Sequence, residues 1–402
     1  MIAKYKILQR WLENLTPYLI AIGIGTLPLK ANIPNTISYV LVLTWFLTGD
    51  FQRKYKEIVS NPVAWVPVVY FAWSLIAMLW TEDTQFGLRV LNVSRRLLFI
   101  PFFLTQVRQK DAQMALWALF AGTLTAVLLA FGLLTGLTPL SFHHGSGLPP
   151  RRDLCVFTDH CSYTPILAWV LYSALAVIQF GSKTKKIKVT LTLFSILIAI
   201  NIFMTEGVTG YAACFALIAL FILQSIPSPR KALSICVALA LLLPCLLWVV
   251  SPPFKTRLKQ NYREMTSVIG TPKDQGFSIG PRLFMWKNTI EIIQDFPVFG
   301  IGTGDFPKEY GRRFNTRFGS LTSCHNEYLQ AWAQTGIIGL VLLVSIFLAQ
   351  LFYGLRSQSW LAPLQVALPC FFLLIMLSDG HPFVSRLAML HLFMSASLYS
   401  KR

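Results

Sequence analysis

Ser323-Cys-His-Asn-Glu-Tyr-Leu329 sets a thiol, an imidazole, an amide, a carboxylate and a phenol side by side at the start of a long apolar run. His325 would stand at the N-terminal end of a helix, where open backbone N–H groups and the helix dipole favour an anion and disfavour a protonated ring. A neutral imidazole beside a bound anion can take a proton from a hydroxyl near neutral pH. A histidine at such a boundary also serves as a hydrogen-bonding or headgroup residue, and both readings stay open. Upstream, Arg282 opens a helical pattern in which Leu283, Trp286, Ile290 and Ile293 recur and Pro297 follows the end. Arg282 and Trp286 share a stripe, so the simplest reading packs the arginine stem on the indole ring. Gly300-Ile-Gly-Thr-Gly304 follows no strand of a βαβ unit, so a tight turn bringing backbone close to another group suits it better than a nucleotide loop. His143-His144 and Cys155/Cys161 are isolated pairs without metal-ligand spacing, and no metal or cofactor is expected.

These residues must be held by helices in a membrane. The chain has 402 residues, of which 54% are hydrophobic and 13% charged, about half the charged share of a soluble domain. Its apolar residues form runs close to the roughly 20 residues that cross a bilayer. About twelve spans are predicted, at 15–29, 33–49, 62–80, 96–106, 112–135, 162–180, 187–205, 208–226, 232–251, 328–353, 361–377 and 383–399. The fourth is the weakest, since Arg95 and Arg96 open it and Pro101 interrupts it. The expected architecture is an all-α integral membrane protein in three parts: spans one to nine over 1–251, a large loop with an amphipathic helix over 252–327, and spans ten to twelve over 328–402.

Orientation follows from lysine and arginine in short loops. With the N-terminus inside, Lys4, Lys6, Arg10, Arg53, Lys54, Lys56, Arg108, Lys110, Lys183, Lys185, Lys186, Lys188, Arg230, Lys231, Arg356, Lys401 and Arg402 all fall on the cytoplasmic side. Both termini are then cytoplasmic and the large loop, between spans nine and ten, is periplasmic. The net charge of +18 is mostly this topogenic charge against anionic membrane lipids, and nothing in its pattern suggests a nucleic-acid surface. Ionisable residues cluster at span ends and in loops, which argues against a transporter. Outside the cytoplasm, Arg151 and Arg152 lie in one loop and Arg312, Arg313 and Arg317 in another. A solvated face is the default for the second cluster, and contact with phosphate groups the alternative. Asp159-His160 and Asp379-Gly-His381 read as helix-end groups.

Gly280-Pro-Arg-Leu-Phe-Met-Trp286, Phe296-Pro-Val-Phe-Gly-Ile-Gly-Thr-Gly-Asp-Phe306, Cys324-His-Asn-Glu-Tyr-Leu-Gln330 and Thr335-Gly-Ile-Ile-Gly-Leu340 together resemble the signature region of the O-antigen ligase and polymerase superfamily. Membership would imply a glycosyltransferase of the bacterial inner membrane. Its donor would be a glycan on undecaprenyl diphosphate, and its ligases would transfer to lipid A–core without metal. The resemblance maps the family's essential histidine onto His325 and its loop arginine onto Arg282. His325 would then take the acceptor's proton and Arg282 bind the diphosphate, with Asn326, Tyr328, Trp286, Arg312, Arg313, Arg151 and Arg152 as further substrate contacts. A polymerase using the same donor is the alternative. One departure stands out. Many members carry an arginine in the turn that reads Glu206-Gly-Val-Thr-Gly210 here, so Val208 takes its place. Either Arg89, Arg95, Arg96, Arg151, Arg152 or Arg386 supplies that charge from another outer loop, or the enzyme is impaired or holds its donor in a different geometry.

Overall fold

The computed structural model describes residues 2–30, 32–144, 149–151, 153–181, 184–267, 279–314, 321–378 and 385–401, a few of them by backbone alone. Among them the chain is helical, with one isolated bridge, His143 to Val156, outside the helices. Arg152 and Arg317, and the Asp379-Gly-His381 stretch, lie outside the described residues.

The first group of helices is α1 (Ile2–Gly25), α2 (Asn32–Leu47), the short α3 (Phe51–Val59), α4 (Pro62–Ile76), α5 (Thr84–Ser94), α6 (Phe99–Leu104) and α7 (Ala112–Thr135). Then come α8 (His160–Ala176), α9 (Lys185–Phe203), α10 (Val208–Ser225) and α11 (Pro229–Val250). The segment expected as a large loop holds α12 (Pro252–Ser267), α13 (Ile279–Asp295) and α14 (Phe306–Phe314). The chain closes with α15 (Glu327–Arg356), α16 (Ala362–Ile375) and α17 (Ser385–Tyr399). Seven helical stretches among the described residues are long and apolar enough to cross a bilayer, and α16 is a shorter apolar helix. Their apolar length makes this a multi-pass membrane protein.

The expected fourth span differs most. Instead of one helix over 96–106, the chain forms amphipathic α5, a 3₁₀ turn over Arg95–Leu98, and a six-residue α6. The two arginines and Pro101 divide the run, and neither helix alone is long enough to span. Two buried ionisable groups elsewhere have polar partners, as a low-dielectric interior favours. Lys54, expected at the cytoplasmic surface, is instead buried, its ammonium donating to the Trp45 carbonyl at 2.5 Å and to Thr48 at 2.7 Å. His391 sits mid-span in α17, against Gln350 of α15 at 3.0 Å.

The feature that fixes the working end of the bundle is a break in α15. Gly336 leaves the helical region at φ 70°, and the carbonyls just before it face outward rather than along the helix. A ridge of backbone over 300–305 takes them up. Ile301 N–H donates to Ala333 O at 2.9 Å, Gly302 N–H to Gln334 O at 3.0 Å, and the Trp73 indole to Thr335 O at 2.9 Å. In return, Ile337 N–H donates to Pro297 O at 3.0 Å. The tight turn expected for the glycine run is therefore real. A Cβ at Gly336 would lie 1.9 Å from Val298 O, and one at Gly304 would lie 2.4 Å from the Gly87 backbone. Asp305 completes the anchor: its two oxygens accept from the backbone N–H groups of Glu82 and Asp83, each at 2.7 Å. Thr303 adds a bond to Ser74 O at 2.8 Å.

Gly336→Ala adds both a left-handed β-carbon and a clash, at a cost of roughly 2 kcal/mol or more. It is expected to lower the thermal unfolding midpoint in detergent by several degrees. An unchanged midpoint would mean that the break in α15 does not hold the ridge.

Candidate functional site

Three elements meet at the chain segment that carries His325. The first is α13, whose buried face carries Met285, Asn288, Thr289 and Ile292. That face is rotated from the expected stripe, for Leu283 and Ile290 are exposed, as apolar side chains can be beside lipid. Trp286 is partly buried, and its indole donates to Cys324 O at 3.1 Å, tying α13 to the histidine motif. Arg282 lies one helical turn before Trp286 on the same side and is partly buried.

The second element is the motif itself. His325 precedes the helix cap rather than forming it, and its backbone is left-handed at φ 55°. A non-glycine residue held there stores strain, and such outliers cluster at functional sites. The cap is Asn326, whose side-chain oxygen accepts from Tyr328 N–H at 3.1 Å and Leu329 N–H at 3.2 Å. Tyr328 donates its hydroxyl to Leu373 O at 2.5 Å, and Glu327 N–H donates to Met376 O at 2.9 Å. Asn326, Tyr328 and Trp286, expected to contact substrate, thus engage the scaffold with these polar atoms. Cys324 is fully buried, which pushes its thiol up to about 12.

The third element is α5. Phe86, Arg89, Val90 and Val93 follow helical spacing and face the first turns of α15, where Glu327, Gln330, Ala331 and Gln334 do the same. Between these helices and α4 lies a cavity of about 300 Å³, with Thr303 of the ridge and Ser323 also in its wall. Its lining residues Ser323 and Glu327 flank His325 on either side.

The arginines weighed against Val208 separate clearly. Arg386 is buried, and its guanidinium donates to Leu27 O at 3.0 Å and Phe157 O at 2.5 Å. Arg95 donates to Asn92 and to the Tyr39 hydroxyl. Arg96 is half-buried in the same helical run, and burial lowers its pKa. Arg151 is exposed on the loop before α8. Only Arg89 both lines the cavity and has no side-chain partner among the described residues. On α14, Arg312 pairs with Glu309 at 2.5 Å, while Arg313 pairs with both Glu309 and Asp295. Those two cations are engaged within the protein.

Sequence reading missed one paired group near the start of α8. Asp153 is fully buried, and its carboxylate lies 2.9 Å from His160 Nδ1. Asp159 caps α8 through Ser162 N–H at 3.0 Å, as expected for a helix-end group. The seven cysteines are free, and no group of three or more His, Cys, Asp or Glu suited to a metal occurs among the described residues.

Comparison with known proteins agrees with the motifs. Residues 193–344 match the O-antigen ligase family. The matched stretch runs from within α9 through the ridge and His325 to the middle of α15. The chain is also similar to an uncharacterized protein of Haemophilus influenzae, 24% identical over 308 residues that cover 72% of this chain and 71% of the relative.

Replacing Asn326 with alanine removes the cap of α15 and is expected to cost about 1 kcal/mol of stability, read as a lower unfolding midpoint. In a variant retaining Cys324 as its one cysteine, a maleimide at pH 8 should label the thiol only after unfolding, since the folded thiol is buried and almost wholly protonated. Prompt labelling of folded protein would contradict the buried placement.

Proposed function

We propose that this protein is an O-antigen ligase, transferring a glycan from undecaprenyl diphosphate to lipid A–core at the periplasmic face of the bacterial inner membrane. The observation that supports the reading is the cavity between α4, α5 and α15, where Arg89, with no side-chain partner among the described residues, joins an apolar wall and the chain segment on either side of the strained His325. The apolar side chains of Phe86, Val90 and Val93 suit an isoprenoid, and Arg89 and Arg282 supply forked donors for a diphosphate. Arg89 serves in place of the arginine that Val208 displaces.

In the transfer step, the acceptor oxygen attacks the anomeric carbon while His325 takes its proton. The bond from that carbon to the diphosphate oxygen breaks, and undecaprenyl diphosphate leaves with the electron pair. Negative charge grows on the leaving group as the bond lengthens, so the arginines bind the transition state more strongly than the ground state. The thin water layer at a membrane surface strengthens that attraction.

Protein in lipid is mixed with polyprenyl-diphosphate glycan, with and without lipid A–core, and products are resolved by gel. Glycan on lipid A–core, formed only when that acceptor is present, is the expected result. Lengthened polyprenyl-linked chains without it would assign a polymerase. His325→Ala should abolish transfer while membrane insertion persists, and full activity in that variant would remove the base assignment. Arg282→Lys should lose most activity because an ammonium lacks the planar fork, and Arg89→Ala should raise the donor KM about tenfold or more, the loss of one charge-assisted bond. An unchanged donor KM in Arg89→Ala would leave the diphosphate to Arg282 alone.

A further inference from the structure

Behind the ridge that walls the cavity lies a second pocket, of about 280 Å³. Thr303 faces the first cavity, while Gly300, Ile301 and Asp305 line the second. The pocket's aromatic surfaces are Trp80 and Phe296, and its polar rim is Glu82, Lys308, Glu309 and Arg312. The Trp80 ring is fixed by Trp73 and Phe299, with centroids 6.1 Å away in each case. Its indole N–H is buried and has no acceptor among the described residues. Phe296 is exposed.

The rim is made of ion pairs rather than lone charges. Lys308 Nζ lies 3.0 Å from Glu82 and holds that carboxyl below its usual range, and Arg312 lies 2.5 Å from Glu309. Both oxygens of Asp305 already accept backbone N–H groups. Glu82 is thus balanced by Lys308, and Glu309 by Arg312 on the rim and Arg313 beside it, so the charges are compensated in pairs. Such a rim holds no lone cation to draw in a phosphate or carboxylate ligand. It offers donors and acceptors together, which a polyhydroxylated ring can use, while aromatic faces take up the ring's C–H surface.

We propose that this pocket binds an uncharged saccharide unit of the glycan. The inference rests on the glycan-transfer reading above, and the ridge would separate the sugar held here from the diphosphate held beside His325. The sugar belongs either to the donor or to the acceptor, and kinetics tell these apart.

The test uses full-length protein in lipid nanodiscs and, as probe, the oligosaccharide released by mild acid from the lipid-linked glycan pool of the source cells. Saturation-transfer NMR reads binding directly, and the transfer assay is run on the same preparation. Wild type should show saturation of sugar-ring protons. Phe296→Ala and Lys308→Met should weaken binding about tenfold, the worth of one ring or paired contact, and raise one KM with little change in kcat. A rise in donor KM places the sugar on the donor, and a rise in acceptor KM places it on the acceptor. Trp80→Leu should do the same, but the two surface variants decide the matter if that one misfolds. Active transfer with no saturation, or with both KM values unchanged in the surface variants, would overturn the subsite and leave the transfer reading intact. If wild type transfers nothing, that reading falls, and binding alone then decides the pocket: saturation lost in the variants supports it, and its absence in wild type overturns it.

Discussion

The working end of this protein depends on one exchange of backbone hydrogen bonds. Where α15 breaks at Gly336, the carbonyls of Ala333, Gln334 and Thr335 lose the partners a continuous helix would give them. In a membrane such groups cost several kcal/mol if left open. The ridge answers with Ile301 N–H and Gly302 N–H, and α4 answers with the Trp73 indole. Because the accepting carbonyls are fixed by a helix and the donors by a glycine turn, neither can shift alone. The break is the cause of the ridge's position, and the ridge in turn divides two pockets.

That exchange also explains why so much of the histidine motif serves structure. The first turns of α15 must stay in register with both the ridge and α16. Asn326 caps them, Tyr328 ties them to the carbonyl of Leu373, and Gln334 bonds back to Gly304. With its neighbours held this way, His325 is left in a backbone conformation that a non-glycine residue adopts only under constraint. The scaffold thus fixes the backbone from which the imidazole projects, a constraint that the proposed proton-accepting role would use, since the hydroxyl must arrive within hydrogen-bond distance.

Most of the helices were legible because apolar runs of bilayer length need no long-range information. The failures have identifiable physical causes. The fourth span dissolved into α5 and α6 because Arg95, Arg96 and Pro101 outweigh the apolar residues around them. On α13 the apolar residues Leu283 and Ile290 suggested a buried stripe, yet beside lipid an apolar side chain can stay outside, so polarity no longer marks the inward face. The break at Gly336 sits in a run that reads as one uninterrupted span. Asp305 could not be linked to Glu82 and Asp83 by any local pattern, because the partners lie more than 200 residues apart. Arg89 and Arg386 look equivalent on paper. Only their surroundings differ, since Arg386 is fastened to two carbonyls while Arg89 stands in a cavity wall.

The distribution of arginines follows the same logic. A guanidinium buried near carbonyls becomes a rivet, as Arg386 does, and one flanked by carboxylates becomes part of a surface network, as Arg313 does. Both have polar partners within the protein. With Val208 at the turn before α10, no guanidinium stands there, but a bound anion responds to the field at its own position, not to which helix supplies it. In the proposed reading, Arg89 on α5 meets that requirement from across the cavity that the first turns of α15 also line. Which guanidinium groups stay available to a ligand is then decided by packing rather than by motif, as the contrast between Arg386 and Arg89 shows among the described residues.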